Sequence, residues 1–400
     1  MRNKKRFLNG SRKGGIMKKF LIGICFILIL FSFALYNLRL LPLIINAFSI
    51  IFLLLFITDF KITVNLRDII SIISIYTCIL FLSFYWKNNM AFDFNEFISS
   101  FVIFMIYLII FSVYFNNYQN IPHKYRNIFV QIYKYFLIVN FIVILAQFIL
   151  EFTLNFRLLF PWQPTRSQRQ MGIMSEPSHN AMIYLPFIFE NRIFDHRFGV
   201  LMMTLITLLS ASASFFVLYI FYLVLLLRNL KLKINNLLAV MAIILLVSLF
   251  VFGIDYSNLN LFIRLSRIGI SSDASSFTRL YKGFVLFENN GFVHNVLGDG
   301  PGNNFLSVNR YDGKYYTLVN LEGEMMSGVF ANVFSYGIIL AIAIYIFIYV
   351  SIKKAHLETM FFFLILYTFY SGGGFSNYTF YNLLIVTSLI DLHAVNKEDT

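Results

Sequence analysis

The chain has 400 residues, of which 59% are hydrophobic and only 13% are charged, and its mean hydropathy is +0.74. Soluble globular domains carry about 25% charged residues, so this composition excludes a soluble enzyme and indicates an integral membrane protein. The formal net charge of +13 comes from dispersed basic residues, and this dispersal argues against a nucleic-acid partner.

The apolar runs predict an all-α membrane protein. A helix needs about 17 to 25 residues to cross a bilayer, and it satisfies its own backbone polar groups in lipid. We predict one polytopic domain at residues 19–390 with about twelve transmembrane helices. The expected spans are 19–36, 40–58, 69–86, 97–115, 129–151, 179–190, 198–209, 211–227, 236–254, 327–350, 357–371 and 377–390.

The uncharged stretch at 198–227 decides the orientation. A single helix here would carry Arg228, Lys231 and Lys233 to the outside, against the positive-inside rule. Two helices, broken near 210–214, return these residues to the cytoplasm together with most basic residues of the other short loops. We therefore predict two helices.

This orientation places the basic tail 1–18 and the tail 391–400 in the cytoplasm. Two longer loops, 152–178 and 256–325, then face the exterior, and the second lies between predicted helices 9 and 10. No group of His, Cys and acidic residues has the spacing of a metal site, so we expect no metal and no other cofactor.

The shorter outer loop carries a candidate anion site. It contains Arg166 and Arg169, followed by Ser-Glu-Pro-Ser at 175–178 before the next predicted helix. The proline suits the first helical turn, and the serine or glutamate can cap it. Free amides at a helix start bind anions, and arginine adds bidentate hydrogen bonds to phosphate. The alternative is simple anchoring to lipid headgroups.

The larger outer loop carries Arg279 and then Gly-Asp-Gly-Pro-Gly-Asn at 298–303. Glycines at this spacing permit tight turns and close approach of the backbone to a ligand, and successive amides can form an anion-binding nest. The same spacing also occurs in ordinary turns. As a substrate-binding turn, the segment uses Gly298, Gly300 and Gly302 for shape, Asp299 for sugar hydroxyls or for orienting the turn, and Asn303 for substrate contact.

The order of these motifs over residues 130–350 resembles the O-antigen ligase and O-antigen polymerase superfamily of bacterial membrane glycosyltransferases. The matching segments are 169–178, Arg-Gln-Met-Gly-Ile-Met-Ser-Glu-Pro-Ser, and 279–305. The resemblance implies a bacterial cell membrane protein that acts on undecaprenyl-diphosphate-linked glycans as donor and acceptor. It also implies that Arg169 and Arg279 bind the donor diphosphate.

Two details favour a repeat-unit polymerase of capsule, exopolysaccharide or O-antigen synthesis over a ligase within this resemblance. The Glu-Pro-Ser form is more typical of a polymerase. Ligases often have a His-Asn pair before the span after the glycine motif, where this chain has Met326-Ser327-Gly328. Besides membrane lipids, flippase and chain-length regulator proteins are the partners that the polymerase assignment implies.

Transfer of a glycan from a lipid diphosphate requires cations that stabilise charge on the leaving group. Arg169 and Arg279, with Arg166, are the candidates for this role. The acceptor hydroxyl also needs a base, for which we favour Glu176, whose alternative role is helix capping. Other outer-loop candidates for the base are Glu322, Glu324 and His294.

A lipid-linked oligosaccharide flippase or another secondary transporter is the alternative from a different class. Transporters use broken helices near the membrane midplane, and the break at 210–214 fits that pattern. Ionisable residues within spans usually mark function. Here Lys134, Glu151 and Glu358 lie near predicted span ends, which leaves the membrane midplane almost without charge and argues against a transporter. A sensor or scaffold is a third alternative, which lacks a recognisable signalling domain. We therefore favour the polymerase.

Overall fold

The computed structural model of the protein describes residues 2–35, 38, 40–87, 92–161, 163, 170–174, 179–190, 193–210, 215, 218–223, 225, 282–303, 305–311, 327–370, 375 and 377–391. Every regular element in these ranges is a helix, and none of the described residues forms a strand. The predicted all-α class is therefore confirmed for this part of the chain.

The described residues include thirteen α-helices with defined bounds, two short 3-10 turns at Tyr118–Asn120 and Lys353–Ala355, and helical residues at 215, 218–223 and 225. In chain order the thirteen α-helices are α1 (Arg2–Ala34), α2 (Leu40–Ile57), α3 (Leu66–Trp86), α4 (Phe94–Asn117), α5 (His123–Leu154), α6 (His179–Phe189), α7 (His196–Ser210), α8 (Gly283–Asn289), α9 (Phe292–Leu297), α10 (Phe305–Asn309), α11 (Gly328–Ile352), α12 (Glu358–Tyr370) and α13 (Tyr378–Ile390). Three of them, α8 to α10, are short and lie within the predicted outer loop 256–325.

Five described helices are long and apolar enough to cross a membrane. They are Ile16–Ala34 within α1, Leu66–Trp86, Phe94–Asn120, Lys124–Leu154 and Gly328–Ile352. Helices α2, α7 and α13 are apolar but shorter. The chain is thus a helical membrane protein, while the expected number of about twelve spans stays a prediction.

Two of the twelve expected spans lie wholly or in large part outside the described residues. The span at 236–254 lies outside the described residues. Of the span at 211–227, residues 215, 218–223 and 225 are described, and all of them are helical.

Side-chain caps explain why two helices begin earlier than predicted, at 66 and 94 instead of 69 and 97. Asn65 Oδ1 accepts a hydrogen bond from the amide of Arg67 at 3.0 Å. Asp93 Oδ1 accepts from the amides of Asn95 at 2.9 Å and Glu96 at 3.1 Å. Each cap satisfies amides that have no partner within the helix, so polar residues extend the helix beyond its apolar run.

The chain divides into two compact units, each of which is described separately. The first comprises Met1–Phe26, Asn46–Tyr125 and Gly269–Ser388, and the second comprises Ile27–Ile45, Arg126–Ile268 and Leu389–Thr400. The glycine run 298–303 belongs to the first unit, and the segment around Gly172 belongs to the second.

Aromatic packing forms much of the interior of the first unit. The Tyr107 ring of α4 stacks on Tyr378 and Tyr381 of α13, with centroid distances of 5.8 and 6.0 Å. The Tyr107 hydroxyl donates to Asn46 Oδ1 of α2 at 3.1 Å. Buried tyrosines need such a partner for their hydroxyl groups, so this contact joins three helices by packing and by a hydrogen bond.

Candidate functional site

Four predicted site residues, Arg166, Arg169, Glu176 and Arg279, lie outside the described residues. Glu322 and Glu324 also lie there. Their expected roles as diphosphate-binding cations and as bases therefore stay predictions. The structure describes the segment 170–174 and the whole glycine run 298–303, whereas the next residue, Asn304, lies outside the described residues.

Glutamine side chains fix the backbone of residues 170–174, which lie directly after position 169. Gln147 Oε1 accepts from the amides of Met171 at 3.0 Å and Gly172 at 2.8 Å. The Gly172 carbonyl accepts from Gln147 Nε2 at 3.2 Å and from Gln163 Nε2 at 2.7 Å. Gln147 and Gln163 are 5% and 6% exposed, so these hydrogen bonds form with little competition from water.

Two asparagines complete this network. Asn140 Oδ1 accepts from the Ile173 amide at 2.9 Å, and Asn140 Nδ2 donates to Asn180 Oδ1 at 2.9 Å. Asn180 Nδ2 in turn donates to the Met171 carbonyl at 3.2 Å. Gly172 has φ +62°, and a Cβ there would overlap Asn140 Oδ1. The motif needs glycine at this position because its backbone approaches α5 closely.

The glycine run 298–303 is attached to an interruption in α11. Gly337 has φ 76° and ψ 159°, which breaks the helix. The Asp299 amide donates to the Phe334 carbonyl at 2.6 Å, and the Gly300 amide donates to the Ser335 carbonyl at 2.9 Å. In an uninterrupted helix these carbonyls would accept from amides four residues later, so the turn supplies the donors that the break removes.

Each glycine of the run lies against another part of the first unit. A Cβ on Gly298 would lie 2.5 Å from the Gly337 nitrogen, and one on Gly302 would lie 2.5 Å from the Glu96 carbonyl oxygen. A Cβ on Gly300 would lie 2.8 Å from the Phe92 ring. All three glycines have positive φ angles, 74°, 98° and 79° in chain order. The structure thus shows close packing at these glycines, while their approach to a glycan stays a prediction.

Hydrogen bonds to distant parts of the chain hold the two ends of the turn. Trp86 Nε1 donates to the carbonyls of Leu297 at 3.2 Å and Gly298 at 3.0 Å. Asn303 Oδ1 accepts from the Asp93 amide at 2.7 Å, and Asn303 Nδ2 donates to the Asp93 carbonyl at 3.0 Å. Asn303 is fully buried, so the predicted substrate contact would require this pairing to open.

A cluster of charged and polar side chains surrounds Asp299, which is 3% exposed. Its Oδ2 accepts from Arg310 Nη2 at 2.5 Å, and its Oδ1 lies 3.2 Å from His294 Nδ1. Arg310 Nε and Nη2 also donate to Asn290 Oδ1, at 3.1 and 2.7 Å. Within the described structure, the carboxylate is therefore directed towards two partners inside the protein, which favours the orienting role over binding of sugar hydroxyls.

Burial and charge oppose each other at Asp299, which lies between α9 and α10. Burial raises the pKa of its carboxyl above the usual value, and the Arg310 guanidinium and His294 counteract that rise. The side chains of His294 and Arg310 are 32% and 27% exposed. The cluster therefore holds a buried acid beside an imidazole and a guanidinium that both reach the surface.

Sequence reasoning overlooked Arg310, Trp86 and Gly337. Arg310 is the first basic residue after the glycine run. That closeness in the sequence could have indicated it as a partner for Asp299. Trp86 and Gly337 carry no local signal, because each contacts the turn from another part of the chain.

Among the described residues, no group of three or more His, Cys, Asp or Glu side chains could hold a metal ion. The expected independence from metal stays a prediction for the whole chain.

Comparisons with known proteins found no match to the chain among protein-family models, curated proteins or solved structures. The function proposed for the chain therefore depends on its own residues.

Proposed function

We propose that the chain polymerises undecaprenyl-diphosphate-linked oligosaccharide repeat units at the outer face of the bacterial cell membrane, for capsular polysaccharide, exopolysaccharide or O-antigen. The observation that carries the proposal is the order of two motifs in a helical membrane protein. Arg169 and Gly172 precede α6, and Arg279 and the run 298–303 precede α11.

The geometry of the two glycine segments supports this proposal. Gly172 and Gly298 both have positive φ angles and both lie against a neighbouring helix or its interruption. Such close packing gives a loop a fixed shape, and a site that positions a reacting group needs a rigid support. Arg169 lies three residues before one anchored glycine in the sequence.

In the proposed reaction, an acceptor sugar hydroxyl attacks the anomeric carbon of the donor glycan. The bond from that carbon to the diphosphate breaks, and the electron pair leaves with the diphosphate oxygen. Arg169 and Arg279 stabilise the resulting charge, with Arg166 as a further cation. Guanidinium groups suit this role because they bind phosphate oxygens in a bidentate manner. No metal takes part in the proposed mechanism.

Glycan analysis of a strain that lacks the gene tests the proposal. A polymerase deletion should abolish polymer and retain a single repeat unit, and the wild-type gene should restore polymer. Accumulation of full-length lipid-linked polymer would instead identify a ligase. Retention of the lipid-linked repeat unit at the cytoplasmic face would identify a flippase.

A further inference from the structure

His294 has two chemically different edges. Its Nδ1 is buried and lies 3.2 Å from Asp299 Oδ1, while the side chain as a whole is 32% exposed. Nε2 is the ring nitrogen that does not face Asp299. In a neutral imidazole, an Nδ1–H that faces a carboxylate leaves the lone pair on Nε2, which can accept a proton.

Both members of the pair are held in place. The Asp299 amide donates a hydrogen bond to the Phe334 carbonyl at 2.6 Å, and the Asp299 carboxylate accepts one from Arg310. His294 lies on α9, whose end is fixed by the hydrogen bond from Trp86 Nε1 to the Leu297 carbonyl at 3.2 Å. Catalysis requires such preorganisation of the reacting group and of its support.

The distance between His294 and Asp299 fits an orienting contact, but the hydrogen bond is not aligned. Nδ1 has no hydrogen-bond partner of acceptable geometry among the described residues. Catalytic hydrogen bonds are often poorly aligned before substrate binds and tighten in the complex.

We propose that His294 is the general base of glycosyl transfer and that Asp299 is the residue that positions its imidazole. This assignment rests on the proposed polymerase function and replaces Glu176 as the favoured base. Nε2 takes the proton of the acceptor hydroxyl as the hydroxyl oxygen bonds to the anomeric carbon. The diphosphate leaves with the electron pair of the broken bond, and the imidazolium afterwards gives its proton to water.

The test uses the purified full-length protein in nanodiscs and lipid-linked repeat units extracted from the deletion strain. The initial rate of undecaprenyl diphosphate release gives kcat and KM. His294→Asn keeps a hydrogen-bond donor near the position of Nδ1 but has no basic Nε2. His294→Gln also has no imidazole and therefore no base. Both variants should lose about 100-fold or more in kcat, with KM and the melting temperature close to those of the wild type.

A matched control is His356→Asn, because His356 is an exposed histidine that follows α11 and has φ 54°, a conformation that asparagine tolerates. This variant should keep the wild-type kcat. An active wild-type protein whose folded His294 variants keep more than a tenth of kcat overturns the assignment of the base alone. A folded wild-type protein without transfer contradicts the polymerase function and the base together.

The pH dependence of the wild type provides a measurement that needs no variant. A general base must be unprotonated to act, so the kcat of the wild type should fall as the pH is lowered across the range in which the protein stays folded. Among the described residues, Asp299 lies beside the ring, and Arg310 contacts the other oxygen of the same carboxylate. Helix α11, which packs against α9, carries no charged residue between Gly328 and Ile352. A kcat that does not fall over this range would overturn the assignment.

Discussion

Gly298 and Gly337 pack backbone to backbone, so that a Cβ on Gly298 would lie 2.5 Å from the Gly337 nitrogen. A Cβ on Gly337 would likewise overlap the Val296 carbonyl oxygen. Gly298 has φ 74° and ψ −173°, and Gly337 has φ 76° and ψ 159°. This backbone region is essentially restricted to glycine. The pair therefore couples the shape of the glycine turn to the interruption of α11.

Gly298→Ala should detach the turn, and Gly291→Ala is its matched control. Both positions have glycine-type backbone angles, but a Cβ on Gly291 would meet nothing within 4 Å. Backbone strain should cost each variant about 1–3 kcal/mol, and the clash with Gly337 should cost Gly298→Ala about 1–3 kcal/mol more.

Tryptophan fluorescence measures this difference directly. The chain has two tryptophans, so a Trp162→Phe background leaves Trp86, which donates to the Gly298 carbonyl and is 2% exposed. Gly298→Ala should shift the Trp86 emission to the red and lower the melting temperature more than Gly291→Ala does. Equal emission and equal melting temperatures in the two variants would show that the contact with Gly337 is unimportant.

Asp299 and Arg310 should show energetic coupling. Removing one partner of a buried ion pair leaves an unpaired charge. Because Arg310 is partly exposed, water reduces this penalty, and Asp299→Asn and Arg310→Gln should each lower the free energy of unfolding by about 2 kcal/mol. The double variant should cost less than the sum, with a coupling of about 1–2 kcal/mol. The cycle is measured by denaturant unfolding of the wild type, the two single variants and the double variant, all in the Trp162→Phe background, with Trp86 fluorescence as the signal. Additive losses would contradict a direct interaction.

Arg169→Lys and Arg279→Lys should each impair polymer formation almost as strongly as the corresponding alanine variants. The ammonium group of lysine keeps the charge but does not reproduce the planar, bidentate contact of guanidinium with phosphate. Polymer length is measured in complemented deletion strains at equal protein level. If both lysine variants restored wild-type polymer, these arginines would be lipid anchors.

The predicted topology can be tested by cysteine labelling. The structure makes Asn303 unsuitable because it is fully buried, whereas Glu288 in α8 and Lys353 after α11 are exposed. In a background without Cys25 and Cys78, a membrane-impermeant maleimide added to whole cells should label Glu288→Cys and spare Lys353→Cys. Labelling of Lys353→Cys alone would reverse the orientation of this region.

The sequence predicted much of the helical structure, because apolar runs determine where helices lie in a membrane protein. It missed the earlier starts of α3 and α4, since Asn65 and Asp93 extend these helices through polar caps. It also did not predict the interruption at Gly337, which lies within a continuous apolar run. That interruption packs against Gly298, and contacts between distant segments leave no local pattern.

Only part of the candidate site was predicted, because its contacts with distant segments likewise leave no local pattern. The glycine run indicated a tight turn, and positive φ angles at all three of its glycines agree with that prediction. Its attachment through Asp93 and Trp86 involves residues about 200 positions away, so no local pattern in the sequence indicates it. The roles expected for Arg169, Glu176 and Arg279 stay predictions.

The most direct measurement of the central claim is an elongation reaction with the purified protein in nanodiscs, lipid-linked repeat units and a metal chelator. The account predicts a ladder of lipid-linked glycans longer than one repeat unit, together with released undecaprenyl diphosphate. A folded protein that leaves the single repeat unit unchanged would contradict polymerase activity, and elongation that requires an added divalent metal would contradict the metal-free mechanism.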